Sequence, residues 1–404
     1  MPGAIVFVVS SPAAMTSVAA DRRWSFWPLV PLYPYGQRQT LRRELVPGEV
    51  WSFEQIQGVF YVCVPIRMTV VRLGDGGLLV YAPVAPTEEC IRLLRELEQQ
   101  YGPVRFIILP TSSGLEHKVF VGPFARRCPG ATIYHAPDQW SFPLNLPLSW
   151  LGLPGDRTRP LPAEPSSAPF FEDCDYAQLG PIDLGPGVFE EVALFHRRSR
   201  SLLVTDSLVS IPEEPPAVTQ LDPYPLLYHA RETAQEAIAD SPEARRKGWW
   251  RTALFSFYFR PAALETPSLG ETLAAARQAP DRSRRALFGL YPFRWQDTWV
   301  ESFQRLSRQG ELLVAPILQQ LILNRDPERT LQWVEQVCQW QFERIIPCHL
   351  EAPIAARPAE LSRAFALFRD PDQQVLPAPD LELLRSINRS LSQRRITPPA
   401  QVQL

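Results

Sequence analysis

The chain has 404 residues, 45% of them apolar, which is enough to bury a full core as one large domain or one domain with appendages. Lysine and arginine number 41 against 43 acidic residues, so no strong field points to nucleic acid or an acidic lipid surface, and no nucleic-acid partner is expected. Proline is the outlier at 43 residues against 20 glycines, roughly twice ordinary usage, which implies long but stiffened loops.

The six cysteines show no Cys-x-x-Cys pair and no dense framework, so they read as small apolar residues in a reduced, cytoplasmic setting. Residues 1–23 hold a short apolar run with no basic segment before it. A signal peptide normally needs such a segment and the run is too short to span a bilayer, so a loose tail, or Met15 as the true start, is expected. No later stretch reaches transmembrane length.

In chain order, the aromatic and proline-rich WSFWPLVPLYPYG (24–36) reads as extended. Residues 50–73 are β-branched and aromatic and predict two or three strands, and the GDGG turn at 74–77 predicts a hairpin between 67–73 and 78–82. Thr87 is placed to cap a helix that Gly102-Pro103 stops. VRFIILP (104–110) then reads as a buried strand, completing a β-α-β unit with its following loop at the carboxyl edge, where α/β sheets usually place ligands. Residues 119–137 predict a helix, a Pro-Gly turn and a strand at 132–134. The proline-rich stretch 138–172 reads as loop.

Two strands follow at 188–196 and 201–206, joined by a basic turn. An insertion runs over 213–300, with a helix-like stretch at 229–240 and the basic and aromatic sequence RRKGWWRTALFSFYFRP at 245–261. Amphipathic segments follow at 298–310 and 327–340, with Pro327 well placed at a helix start. A strand at 342–354 carries Cys348-His349, and beyond Pro358 the chain is helical and polar, fading into a loose tail. The expected organisation is therefore an N-terminal tail and extended segment over 1–45, a main domain over 46–355 and a C-terminal helical segment over 356–404.

Chemistry concentrates where strands end. Only five histidines exist, so the placement of each is informative. TSSGLEH (111–117) resembles the Thr-His-x-His-x-Asp-His loop of the metallo-β-lactamase superfamily. On that pattern Ser112 and Gly114 replace two histidines, while Glu116 stands for the aspartate and His117 is kept. LLVTDSL (202–208) resembles the strand ending in that superfamily's metal-bridging aspartate, here Asp206. RIIPCHL (344–350) resembles the terminal strand whose histidine is His349. His196, at the end of the preceding strand, corresponds to the third histidine of the first metal position.

Together with WPLVPLYPYG, PIRMTVVRL, GGLLVYAPVAPT and FHRRSRSLLVTDSL, these segments resemble a domain family of unknown function found mainly in oxygenic phototrophs. The resemblance implies an α/β fold, a metallo-β-lactamase-like αββα sandwich with two facing mixed sheets. It also implies a degenerate metal site: no dinuclear centre, at most one zinc on His117, Asp206 and His349, with Glu116 as fourth ligand or as the base acting on a water. His196, Arg197 and Arg200 would then stabilise developing negative charge. Each residue also has a structural reading: His117 as a helix cap or bonded to a backbone carbonyl, Asp206 as a turn or N-cap residue, His349 as a satisfied core histidine, the arginines as a solvated hairpin tip.

Two functions are compatible with these residues. One is a non-catalytic or weakly catalytic scaffold or binding protein, with Trp249, Trp250 and Arg251 offering a surface to a protein partner or, peripherally, a membrane. The other is a mononuclear zinc-dependent hydrolase of an ester, thioester or phosphoester.

Overall fold

Alternation with both faces apolar is the pattern of a strand covered on two sides, and it organises this molecule. The computed structural model describes residues 20–24, 33–34, 36–112, 115–139 and 146–404. The extended reading of 24–36 and the Gly114 position therefore lie largely or wholly outside the described residues.

A first sheet of seven strands runs in sequential order: β1 (Leu41–Val46), β2 (Val50–Val59), β3 (Val62–Arg72), β4 (Leu78–Tyr81), β5 (Val104–Leu109), β6 (Thr132–His135) and β7 (Thr158–Pro160). Pairing is antiparallel from β1 to β4 and parallel from β4 to β7. The parallel half follows from two crossover helices, α1 (Glu88–Tyr101) and α2 (Leu115–Arg127). The Thr87 hydroxyl caps α1 by accepting from the Cys90 amide, as its sequence predicts.

The second sheet is built from β8 (Cys174–Asp183), β9 (Val188–His196), β10 (Ser201–Val204), β15 (Arg344–Pro347) and β16 (Ile354–Ala355), ordered β16-β15-β10-β9-β8. Four two-residue strands lie between: β11 (Leu208–Val209), β12 (Leu264–Glu265), β13 (Arg294–Trp295) and β14 (Leu313–Val314). Only β10 and β15 pair in parallel, so both deliver their following residues to one edge.

Three apolar layers separate four structural ones. Leu79, Tyr81, Phe106 and Ile108 of the first sheet meet Tyr176, Val192, Leu194 and Ile346 of the second. The alternate residues Leu78, Val80, Ile107 and Leu109 pack outward on Leu94 of α1 and Phe120 and Phe124 of α2. On the other side Ala193, Leu202, Val204 and Ile345 face a helical layer. That layer contains α3 (Tyr224–Ala230), α4 (Pro242–Tyr258), α5 (Leu269–Arg277), α6 (Trp299–Ser307), α7 (Pro316–Leu321), α8 (Pro327–Val337), α9 (Pro358–Ala364) and α10 (Ala378–Gln393). This is the αββα sandwich that the family resemblance implies.

Several expectations are corrected. The 229–240 stretch is not helical beyond Ala230. Ser241 instead caps α4 through the Ala244 amide, with Pro242 at the first helical position, so the basic and aromatic run is a helix. The boundaries at 46 and 356 do not separate units. β1 is the edge strand of the first sheet, and Leu361, Phe365 and Leu381 join the same core as the 213–300 segment. The C-terminus is not a loose tail: the Gln401 amide donates to the Asn324 carbonyl at 2.9 Å, and Leu404 is buried with its carbonyl accepting from Arg385. Its polar letters conceal backbone acceptors that neighbouring groups use.

Candidate functional site

Strand β5 ends at Leu109, and Pro110 to Ser112 continue across to the second sheet. The Val192 amide donates to the Pro110 carbonyl at 2.8 Å and the Ser112 amide to the Glu190 carbonyl at 3.2 Å. The helix α2 starts immediately afterwards, so Glu116 and His117 sit in its first turn rather than in a loop. Asp206 lies two residues past β10 and His349 two residues past β15, at the shared edge of that parallel pair.

Three far-apart segments converge here. His349 Nε2 lies 3.0 Å from Asp206 Oδ1 and 3.2 Å from Glu116 Oε2, while its Nδ1 lies 2.9 Å from the Pro65 carbonyl. Carboxylates and carbonyls only accept, so both ring nitrogens donate and His349 is an imidazolium. Burial opposes that charge, but the Glu116 carboxylate and the hydrogen bonds to Asp206 and Glu116 hold the ring well above the ordinary histidine value. Burial likewise opposes ionisation of Glu116. The His349 charge and hydrogen bond, with smaller help from His117 and Gln57, hold its carboxyl down at about 2. The side chains of Glu116 and Asp206 stay 41% and 29% exposed against 15% for His349, so the cluster opens to solvent on its carboxylate side.

His117 is different. Its Nδ1–H donates to the Pro83 carbonyl at 3.1 Å, and its Nε2 is buried without a hydrogen-bond partner. Burial lowers its pKa against the pull of Glu116, so the ring is neutral with an uncommitted Nε2 lone pair. Among the described residues, no group of three or more His, Cys, Asp or Glu side chains is disposed as it stands around a metal position.

The linkage has a definite sign. The folded-state pKa of His349 is raised from 6.5, so its stabilisation is complete below about 6.5 and fades as pH rises through the folded value. That of Glu116 is lowered from 4.5, so its share is present above 4.5 and is lost towards about 2. The difference in unfolding free energy between wild type and His349→Gln should therefore be largest between those two ordinary values, roughly 1–2 kcal/mol after solvent screening, and shrink above them. Urea melts across a pH series read it. A pH-independent difference would remove the imidazolium bridge.

Other expected members are elsewhere. His196 ends β9, which runs antiparallel to β10, and it pairs with Ser201 at the start of that strand rather than near Asp206. Both its nitrogens are spent, Nδ1 on Ser199 Oγ at 2.7 Å and Nε2 on the Arg72 carbonyl at 3.0 Å. Arg197 is paired with Asp175 at 3.0 Å over the Phe171 ring, and Arg200 with Glu343 at 2.7 Å. None of the three can stabilise charge at the site, because strand direction sends them to the far rim. Ser112 is buried, its hydroxyl donating to the Val188 carbonyl and accepting from the Glu190 amide.

Trp249, Trp250 and Arg251 do not form a partner surface either. Trp249 is fully buried, and Trp250 stacks on Phe303 at 4.5 Å. Arg251 is buried between the rings of Trp295 and Trp299 and forks onto Glu232. On helix α4 these residues serve as core anchors, the aromatic and cationic groups satisfying one another.

Three supports were not anticipated. Glu191 is fully buried and accepts from the amides of Thr205, Asp206 and Ser207 and from the Ser207 hydroxyl, fixing the turn that carries Asp206. Burial and the charge of Asp206 push its carboxyl up, while those donors pull it down. Arg67 spans the sheets beneath His349, pairing with Glu54 and donating to the carbonyls of Pro347 and Leu350. Arg38 is buried beside Glu116, and burial lowers it to about 10 against the Glu116 charge, so it remains a cation. The adjacent acids inside VFEEVALF were the available signal, since charge within an apolar strand needs partners.

Among solved structures, the metal-soaked Flv1 flavodiiron core from Synechocystis sp. PCC6803 is similar at 10% identity and a TM-score of 0.41, over 90% of this chain and 71% of that one. A putative diflavin flavoprotein A 5 fragment from Nostoc sp. PCC 7120 gives 11% and 0.40, over 83% of this chain and 98% of that one. The metallo-β-lactamase FIM-1 from Pseudomonas aeruginosa in its mono-zinc form gives 11% and 0.36, over 83% and 96%. Likenesses this distant carry no argument about activity. No protein of curated function matches the chain. The model of the family described as Domain of unknown function (DUF4336) matches residues 47–367, most of the sequence and every strand of the site, and the chain belongs to that family.

Proposed function

We propose that this chain is a binding protein on a metallo-β-lactamase-like scaffold, with little or no hydrolytic activity. The observation that supports this most is the condition of the first metal position. The Ser112 hydroxyl is committed to β9, and His196 is at the opposite rim, so donors are kept on one side of Asp206 only. A dinuclear centre needs them on both. What remains is satisfied by a proton, the His349 imidazolium lying between two carboxylates.

A second reading, a mononuclear zinc-dependent hydrolase of an ester, thioester or phosphoester, is favoured by one specific feature. His117 and His349 both hold a backbone carbonyl on Nδ1, the way metal-ligating imidazoles are oriented from behind, and His117 Nε2 has no partner. His117, Asp206 and His349 would hold the metal, leaving the fourth position to a water. A bound zinc would lower the pKa of its water towards neutrality. Glu116, ionised and solvent-facing, would orient that water or take its proton, and the nearby Arg38 would keep the carboxylate ionised.

Metal content separates the two. Protein purified from zinc-, iron- and manganese-supplemented cells should carry less than about a tenth of an equivalent by elemental analysis, in wild type and His117→Ala alike. About one equivalent in wild type, lost in His117→Ala and rising with pH as His349 sheds its proton, overturns the first reading in favour of the second.

A further inference from the structure

We infer that the end of the molecule formed by the β2–β3 hairpin tip and the 281–290 loop is a docking surface for an anionic lipid bilayer. This goes beyond the reading of the strand-edge site and does not depend on it. The hairpin turns through only Phe60 and Tyr61, both in the left-handed region at φ +50° and +64°. Such a turn favours Asn-Gly, because bulky residues are strained there. Tyr61 is used internally, its hydroxyl donating to the Arg285 carbonyl at 2.6 Å, but Phe60 points outward and is 63% exposed. The 281–290 loop repeats the arrangement: Leu287, Phe288 and Gly289 all have positive φ, and Phe288 is also 63% exposed. Two phenylalanines are thus held out on strained turns where neither contributes to the core.

The two tips belong to one surface. Arg285 joins them, its carbonyl taking the Tyr61 hydroxyl while its guanidinium lies 4.1 Å over the Tyr224 ring and 3.5 Å from Asp222, next to the exposed Leu221. Gly289 abuts the Ala276 carbonyl of α5, whose Leu273 is exposed one turn earlier. The chain is acidic overall, yet residues 277–294 hold five arginines against one aspartate. Arg282 and Arg284 are exposed beside Phe288.

Protruding aromatic and aliphatic side chains ringed by arginines match a bilayer interface, where the apolar tips enter the acyl boundary and the guanidinium groups stay with the phosphates. A single-stranded nucleic acid fits less well, because leucines offer no stacking face. The full chain should co-sediment with vesicles of equimolar phosphatidylcholine and phosphatidylglycerol, weakly or not at all with phosphatidylcholine alone, and less as salt rises. Phe60→Ser with Phe288→Ser should weaken binding roughly tenfold or more, at unchanged circular dichroism because both rings are exposed. Arg282→Glu with Arg284→Glu should abolish the preference for anionic lipid. Independently, Phe288→Trp should bring a fluorophore within reach of quenching by brominated lipid. Protein left in the supernatant with both vesicle types, variants that bind like wild type, an unquenched Phe288→Trp, or retention on single-stranded RNA in place of vesicles would each overturn the inference.

Discussion

Replacing Arg67 by alanine is expected to destabilise the folded chain by about 3–5 kcal/mol, among the largest effects of any single change. Arg67 and Glu54 are each 1% exposed and meet at 3.0 Å. The other two guanidinium nitrogens donate to the Pro347 and Leu350 carbonyls, on either side of Cys348-His349. One side chain of the first sheet thus neutralises a buried acid and holds the loop that carries His349, where Leu350 takes a left-handed φ of +58°. Its loss leaves the Glu54 carboxylate in the interior with, among the described residues, the partly exposed Arg43 at 3.3 Å and the Ser52 hydroxyl at 3.0 Å. Lysine should not rescue, because an ammonium cannot fork across three acceptors in this plane. Replacing both partners, Arg67→Met with Glu54→Leu, should recover much of the loss, since the penalty comes mainly from the abandoned charge. Denaturant melts decide it: a loss under about 1 kcal/mol for Arg67→Ala would mean that the pair is no strut.

Glu191→Ala should be comparably severe, about 3–5 kcal/mol, for a different reason. Four donors point at this carboxylate, three of them consecutive backbone amides, and all four lose their acceptor when it is gone. Each orphaned donor costs roughly 1–3 kcal/mol, and a water entering the space would return part of it. Glu191→Gln should fall between, because the amide keeps one acceptor oxygen but turns two hydrogens towards the donors. The readout beyond stability is the position of Asp206: the pH-dependent gain from His349 should shrink in Glu191→Ala, as the bridge loses one carboxylate. An unchanged pH profile alongside a lowered melting point would confine Glu191 to the fold.

The strands that carry the site were legible because they are buried on both faces. A strand packed between two apolar layers must be continuously apolar, and VRFIIL, SLLV and RIIP stand out against their polar flanks. Glu116, Asp206 and His349 were named through the resemblance of their three segments to the metallo-β-lactamase pattern, which places such residues where strands end. His196 satisfied the same local rule and misled. Nothing within residues 188–196 says which way β9 runs relative to β10, and antiparallel pairing sent its end to the wrong edge. The Trp249–Arg251 run misled because basic and aromatic letters look alike on a binding surface and in a core where cations lie over rings.

From the chain alone one could obtain the hairpin of β3 and β4, the β4-α1-β5 unit and the strands β9, β10 and β15, because periodicity and turn chemistry act over a few neighbouring residues; the layers came from the family resemblance, and the edge strands β1 and β7 were not read. Only folding in three dimensions decided that His349 is a charged bridge, that Glu191 and Arg67 hold the loops around it, and that Phe60 and Phe288 stand exposed on two neighbouring turns. Those outcomes depend on which groups lose water together, and that is set by contacts between segments up to hundreds of residues apart.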